Sequence, residues 1–213
     1  MAAAVGTVLA LSACGGGQRQ DANEPKGTFP VAVSTASFPA SQTLSQHSHM
    51  VITVRNTGHR AIPDVAVTVC NVTCAFPAPR GEGTSAAAFG ADLNQSGLAN
   101  PSRAVWIVDQ PPGGCGYSCR NGGAGGAASA YSNTWALGRL KPGRTIRFDW
   151  KVTAVQPGHH VLAWEVAAGL NGRARAVTGG GSPPHGTFAV DISAKPAQSY
   201  VDNNGNIVAG SGQ

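Results

Sequence analysis

Hydrophobic and polar residues alternate along several segments of this 213-residue chain, and a period of two is typical of half-buried β-strands. The clearest segment is 145–154, in which Ile146, Phe148, Trp150 and Val152 share one face of the predicted strand. Similar alternation or short runs of strand-forming residues predict further strands at 29–38, 49–55, 64–70, 104–109, 161–168 and 187–193. The pattern therefore predicts an all-β fold.

The connection at 156–159 predicts how two of these strands are arranged. A two-residue hairpin here would place Trp150 opposite Glu165, and the hydrophobic residues of the two strands would then fall on opposite faces of one sheet. We therefore predict a corner, at which the chain passes from one sheet of a β-sandwich to the other.

The middle of the chain has a different composition. Residues 71–133 are rich in Gly, Ala, Ser and Pro, and within them 122–130 is of low complexity. We interpret 71–133 as an insertion, with the single strand 104–109, in a sandwich domain that covers 28–195. Residues 196–213 carry few hydrophobic side chains and predict a C-terminal tail or an edge strand.

Composition and charge narrow the function classes. Charged residues make up 12% and aromatic residues 6%, with 29 Gly and 14 Pro, which suits short strands joined by turns. The net charge of +5 favours an anionic partner. The basic residues are scattered without interleaved aromatics, however, which argues against nucleic acid. The densest basic stretch is interpreted as a solvated strand face, with binding of an anionic envelope polymer as the functional alternative: Arg139, Lys141, Arg144, Arg147 and Lys151.

The N-terminal segment predicts export. An apolar stretch over 5–13 ends in small residues before Cys14, and it is shorter than the roughly 20 residues that span a bilayer, so we predict a signal peptide over 1–13. Leu11-Ser12-Ala13-Cys14 resembles the lipobox of bacterial lipoproteins. The resemblance implies that Cys14 carries a lipid and becomes the first mature residue. Residues 14–27 are polar and Gly-rich and predict a flexible tether.

Two blocks of the chain resemble a known family. The segment LGRLKPG at 137–143, followed by two strands around Pro157-Gly158, and the segment MVITVRNTG at 50–58 resemble the cell-adhesion-related domain of bacterial surface proteins. The resemblance implies an immunoglobulin-like antiparallel β-sandwich of about seven strands, without catalytic residues. The family commonly has a tyrosine where this chain has His159 and His160, so we expect the corner hydrogen bond to be lost or made by His160.

The remaining cysteines form two Cys-x-x-x-Cys pairs near the ends of the predicted insertion: Cys70, Cys74, Cys115 and Cys119. An even number of cysteines in an exported chain predicts disulfides. Residues four apart in an extended strand are about 13 Å apart, too far for a bridge, so local pairing needs a turn, whereas pairing between the motifs would join the ends of the insertion. A four-thiolate zinc site fits the spacing but not an oxidising compartment.

Candidate chemistry is otherwise sparse. His47, His49 and Met50 are ligand types that suit copper, although two histidines near a strand start are more often solvated surface. Asp149 and Glu165 are interpreted as surface charges, and no Gly-x-Ser-x-Gly motif is present. The sequence therefore predicts no catalytic residue and no cofactor.

The predicted function is that of a non-enzymatic lipoprotein outside the cytoplasm, anchored to a bacterial membrane by its lipid. It would act as a binding, adhesion or envelope-structural module, with an envelope polymer or a protein as its partner. Two alternatives stay open: a periplasmic copper-handling protein that uses His and Met, and an accessory subunit of an envelope hydrolase.

Overall fold

The computed structural model describes residues 23–71, 89–91, 104–113, 134–196 and 198–209. Within these ranges the chain folds into strands joined by turns and bends. The strands are β1 Gly27–Ser37, β2 Ser41–Leu44, β3 His47–Asn56, β4 Ala66–Asn71, β5 Phe89–Ala91, β6 Trp106–Gln110, β7 Thr134–Ala136, β8 Thr145–Ala154, β9 Gly158–Ala167, β10 Ala174–Val177, β11 His185–Pro196, β12 Ser199–Val201 and β13 Ile207–Ala209.

The strands form two main sheets. The first sheet has the order β1-β3-β8-β6-β5, and the short β10 extends its edge by pairing in parallel with the first residues of β1. The second sheet has the order β2-β11-β9-β4-β7. Strands β12 and β13 form a separate hairpin, so the segment predicted as a tail or edge strand joins neither main sheet.

The alternation in the sequence corresponds to burial. In the first sheet Met50 pairs with Trp150 and Ile52 with Phe148, and all four side chains are fully buried. In the second sheet Val67 of β4 is buried in the same way, in line with the predicted face. Since successive side chains of a strand point to opposite faces, the pair Val51–Asp149 between them points to the outer face of the sheet.

The two sheets pack against each other through large side chains, which makes the fold a β-sandwich. The ring of Trp135 on β7 lies edge-on to Trp150 on β8, with 5.5 Å between the ring centroids. Trp106 on β6 is also buried, and its Nε1–H donates a hydrogen bond to the buried Gln42 side chain of β2 at 2.8 Å. Aromatic rings and a satisfied polar pair thus join the layers.

The predicted corner is confirmed. Strand β8 belongs to the first sheet and β9 to the second, with only 155–157 between them. After the corner, the His160 ring Nε2 lies 3.2 Å from the carbonyl oxygen of Gln156. The ring therefore makes the contact to upstream backbone that a tyrosine makes in related corners.

The expectation of about seven antiparallel strands is wrong. Five strands in each sheet make ten before β10 is added, and the pairs β1–β10, β5–β6 and β2–β11 are parallel. The additional strands are short, and period-two patterns in segments of three or four residues are too brief to detect.

Two predicted boundaries also differ from the structure. The described part of 71–133 belongs to the sandwich, since β6 pairs with β8 and β5 pairs with β6, and Phe89 and Trp106 are buried. The last residues of the segment predicted as a tether, from Glu24 to Gly27, belong to the folded domain, because Glu24 is buried and Gly27 begins β1.

Candidate functional site

The chain enters the sandwich at one end, which we call the proximal end and define as residues 23–30, 55–66, 137–145 and 167–175. The starts of β1 and β10 lie side by side here, with Gly27 opposite Ala174. Backbone hydrogen bonds join these segments, from Asn56 N–H to the Arg144 carbonyl at 3.0 Å and from Ile62 N–H to the Leu140 carbonyl at 2.9 Å. The proximal end is thus one bonded surface built from four stretches of the chain.

Glu24 fastens the entering chain to this end. Its carboxylate accepts hydrogen bonds from three backbone N–H groups, those of Leu170 at 2.7 Å, Asn171 at 2.9 Å and Ala174 at 2.6 Å. The residue is only 6% exposed. A buried carboxylate needs such donors, because without them the loss of hydration would be uncompensated.

Gly169 makes room for the Glu24 carboxylate. A Cβ atom at this position would overlap the Glu24 carboxyl group. Sequence reasoning missed Glu24, because a single acidic residue in a polar Gly-rich segment carries no signal of burial.

Asn56 holds the neighbouring loops together. Its side-chain Nδ2 donates to the carbonyl oxygens of Arg60 at 2.8 Å and Leu140 at 3.0 Å, and its Oδ1 accepts from Gly58 N–H at 2.9 Å. The residue is fully buried. The sequence indicated a turn at Asn56-Thr57-Gly58 but not the long-range contact to Leu140, which only the fold creates.

Asp64 is the second carboxylate at the proximal end. It accepts a hydrogen bond from Gly138 N–H at 2.9 Å. Burial raises its pKa above the ordinary value, the negative charge of Glu24 adds to the rise, and the Gly138 hydrogen bond opposes it. Both carboxylates line a cleft of about 290 Å³ together with Asn23, Pro25 and Leu170, among others.

Eight basic side chains of the proximal end are exposed: Lys26, Arg55, Arg60, Arg139, Lys141, Arg144, Arg173 and Arg175. Within the described part of the chain, the ion pairs are formed by other side chains, those of His47, His49, Arg147 and His159. A cleft of about 530 Å³ opens among three of the eight, and its lining consists of Lys26, Gly27, Thr28, Gly172, Arg173 and Arg175. Arg60 lies over the buried Phe29 ring, 5.0 Å from its centroid.

The outer face of the first sheet carries a different arrangement of charge. His47 Nδ1 lies 3.0 Å from Asp109 Oδ2 and 2.8 Å from Thr153 Oγ1. The register between β6 and β8 shifts between Val108 and Gln110, so Asp109 sits at an irregularity that can redirect its side chain.

A second pair lies beside the first. His49 Nδ1 is 2.8 Å from Asp149 Oδ1, and Arg147 donates to Asp149 Oδ2 at 2.9 Å. Burial raises the pKa of Asp149, but the hydrogen bonds and positive charges of His49 and Arg147 outweigh it, so the pKa is lowered below its ordinary value. On the second sheet His159 pairs with Asp191 in the same manner at 2.8 Å.

The structure does not bring the copper candidates together. His47 and His49 are exposed, whereas Met50 is fully buried on the core face of β3. Within the described ranges, no group of three or more His, Cys, Asp or Glu side chains is placed to hold a metal ion. His47 and His49 therefore do not share a face of β3 with Met50.

Most of the cysteines for which we predict a lipid or a disulfide lie outside the residues that the structure describes. Cys14, Cys74, Cys115 and Cys119 lie outside the described residues, and Cys70 lies half-buried in β4. The lipid on Cys14 and the disulfides among the other four cysteines therefore stay predictions. Among the described residues, no helix has the length and apolar character needed to cross a membrane.

Comparison with known proteins yields weak structural similarity only. No family model and no curated protein matches the chain. Among solved structures, a cell-adhesion-related (CARDB) domain from Pyrococcus furiosus, crystallised in complex with di-metal ions, is 12% identical with a TM-score of 0.38, covering 78% of this chain and 94% of that one. The α2-macroglobulin of Escherichia coli is 11% identical with a TM-score of 0.39, covering 80% of this chain and 7% of that one.

A β-glucosidase of Listeria innocua is 11% identical with a TM-score of 0.33, covering 79% of this chain and 16% of that one. The chain thus spans a small part of the α2-macroglobulin and of the β-glucosidase. These low TM-scores support neither an activity nor membership of a family. The all-β sandwich described above rests on its own strand pairing.

Proposed function

We propose that this chain is a lipid-anchored binding or structural module of the bacterial cell envelope, located outside the cytoplasm and without enzymatic activity. The observation that carries the proposal is the fastening of Glu24 at the proximal end, ten positions after Cys14. Ten residues span at most about 35 Å. A lipid on Cys14 would therefore hold the proximal end close to the membrane surface.

The β-sandwich fits a role in which one end of the domain is presented to a binding partner. Strand β4, which carries Cys70, runs away from the proximal end, and its last residue, Asn71, pairs with Leu162 in the middle of β9. In this proposal, disulfides among the four cysteines brace the segment 71–133, and that side of the molecule meets an envelope polymer or a protein partner. A rigid sandwich with the lipid at one end would present the other end to its surroundings.

The ionisable side chains of the outer face support a non-enzymatic role. In a Ser-His-Asp relay, the hydroxyl and the carboxylate contact the two different nitrogens of the imidazole. Here Asp109 and Thr153 both contact Nδ1 of His47, so this trio could not pass a proton across the ring. His49 and Asp149 likewise bond to each other and to Arg147.

The test is the mass of the N-terminal peptide from membrane fractions of cells that express the full chain. We expect cleavage before Cys14 and a lipid on its sulfur, and we expect Cys14→Ser to release the protein from the membrane fraction. Cys70→Ser is the control, since it changes a cysteine of the folded domain, with the loss of the disulfide proposed for it, and should leave the lipid on Cys14 in place. An unmodified Cys14 in membrane-associated protein would overturn the anchor.

A further inference from the structure

We propose that the proximal end docks on anionic lipid headgroups, so that the membrane surface orients the domain as well as holding it. The inference rests on the proposed function for its biological setting, because a lipid on Cys14 would bring this end to a membrane. The exposed basic side chains of the proximal end provide its chemical basis. The partner is the layer of phosphate-bearing headgroups in an anionic bilayer.

The distribution of basic residues carries the inference. The described residues include eleven lysines and arginines, of which eight lie at the proximal end and are exposed; the other three are Arg147, Lys151 and Lys195. These eight come from the four separate stretches that build the end. Folding has therefore collected charges that are scattered in the sequence into one surface.

The two described carboxylates at this end offset only a minor part of the charge of the eight cations. Glu24 is buried and bonded to three backbone N–H groups, and Asp64 is half-buried and bonded to Gly138 N–H. Backbone amides, not basic side chains, therefore hold these two acids. The exposed cations are left to face solvent, and a concentrated positive field of this kind attracts an anionic surface.

In this proposal, phosphate groups bind in the cleft beside β1 and β10. Arg175 lies on β10 opposite Thr28, and Arg173 immediately precedes β10, with its carbonyl bonded to Gly27 N–H at 3.0 Å. Lys26 completes the rim. Guanidinium groups bind phosphate oxygens with paired hydrogen bonds, and the glycines at this cleft leave the space between the side chains open.

The experiment uses the full chain with Cys14→Ser, so that binding cannot come from the lipid. Its binding is measured by co-sedimentation with vesicles of phosphatidylcholine alone and of phosphatidylcholine mixed with phosphatidylglycerol. We expect binding to the anionic vesicles only, weakened by added salt. The double variant Arg173→Gln/Arg175→Gln should weaken it roughly thirtyfold, because each basic residue near a membrane surface contributes about a fivefold factor.

The double variant Lys151→Gln/Lys195→Gln is the matched control, since it removes the same net charge away from the proximal end. It should change binding by no more than about twofold, because these side chains would lie beyond the screening length of roughly 8 Å from the headgroups. All four substituted side chains in the two variants are solvent-facing or half-buried, so we expect the fold to be retained, and thermal unfolding of each variant checks this.

Three outcomes would overturn the inference: equal binding to both vesicle types, equal weakening by the two double variants, or tighter binding to soluble poly(glycerol phosphate) than to anionic vesicles at equal phosphate concentration. The last would assign the surface to a wall polymer instead. None of them bears on the lipid at Cys14, which the mass of the N-terminal peptide tests separately.

Discussion

The proximal end and the outer face of the first sheet both carry basic and acidic side chains, but they use them differently. On the outer face, His49 and Arg147 share the carboxylate of Asp149, and His47 pairs with Asp109. At the proximal end, the Glu24 carboxylate accepts backbone hydrogen bonds, while the basic side chains around it face solvent. The acidic side chains of the outer face pair with basic ones, whereas the basic side chains of the proximal end are exposed to solvent.

This difference shows that the pairing of surface cations depends on what the carboxylates bind, not only on how many there are. A carboxylate that caps backbone N–H groups stabilises the fold and leaves nearby cations unneutralised. A carboxylate on an exposed strand pairs with its neighbours and contributes little to stability. The net charge of +5 gives no indication of which case applies at a given position.

The largest effect is expected from removing the Glu24 carboxylate. Glu24→Ala would leave three backbone N–H groups without their acceptor, two of them partly buried and one buried, and should lower the free energy of unfolding by about 3 kcal/mol. Urea unfolding monitored by tryptophan fluorescence measures it. Asp149→Ala on the outer face is the control and should cost no more than about 1 kcal/mol. Equal losses in the two variants would remove the distinction between the two surfaces.

A smaller effect is expected from crowding the same carboxylate. Gly169→Ala places a methyl group on the Glu24 carboxyl position and should lower the free energy of unfolding by about 2 kcal/mol. Gly179→Ala is the matched control, because a Cβ there meets open space, and it should change stability by less than about 0.5 kcal/mol.

The combination of the two changes sharpens this test. If Gly169 serves to accommodate Glu24, the double variant Glu24→Ala/Gly169→Ala should lose less stability than the sum of the two single losses. Strict additivity would mean that Gly169 is needed for another reason.

The smallest effect is a difference in pH dependence between the two regions. The pKa of Asp64 is raised by burial, so the folded state binds the proton more tightly; its contribution to stability is complete below the ordinary pKa of about 3.9 and is lost as the pH rises through the raised value. The pKa of Asp149 is lowered, so its contribution is complete above the ordinary pKa and is lost as the pH falls through the lowered value.

Asp64→Asn and Asp149→Asn separate these two contributions. Urea unfolding from about pH 3 to about pH 6 gives the stability of each variant relative to the parent protein. The parent's advantage over Asp64→Asn should shrink as the pH rises, and its advantage over Asp149→Asn should grow. Slopes of the same sign would contradict the assignment of opposite pKa shifts to the two regions.

Much of the strand structure could be predicted from the sequence. The faces of β3, β4, β8 and β9 followed from period-two alternation, since burying Met50, Phe148 and Leu162 in place of their polar neighbours is strongly favourable. The corner between β8 and β9 followed from parity alone. Short strands such as β5 and β7 could not be predicted, because three residues are too few to show a period.

The candidate site was much less accessible to sequence reasoning. Local pattern placed His47, His49 and Met50 together, but a strand turns Met50 to the opposite face from its neighbours, into the core. Glu24 had no pattern at all, because its donors lie about 150 residues further along the chain. No property of a polar segment indicates that a distant turn will bind it.

The sequence by itself thus determined the all-β character, the inward faces of the long strands and the corner, because each depends on the order of neighbouring side chains. Only the tertiary structure decided that Glu24 is buried and that eight scattered basic residues share one end. Those features depend on contacts between distant segments, and hydrophobic packing of the two sheets sets which segments meet.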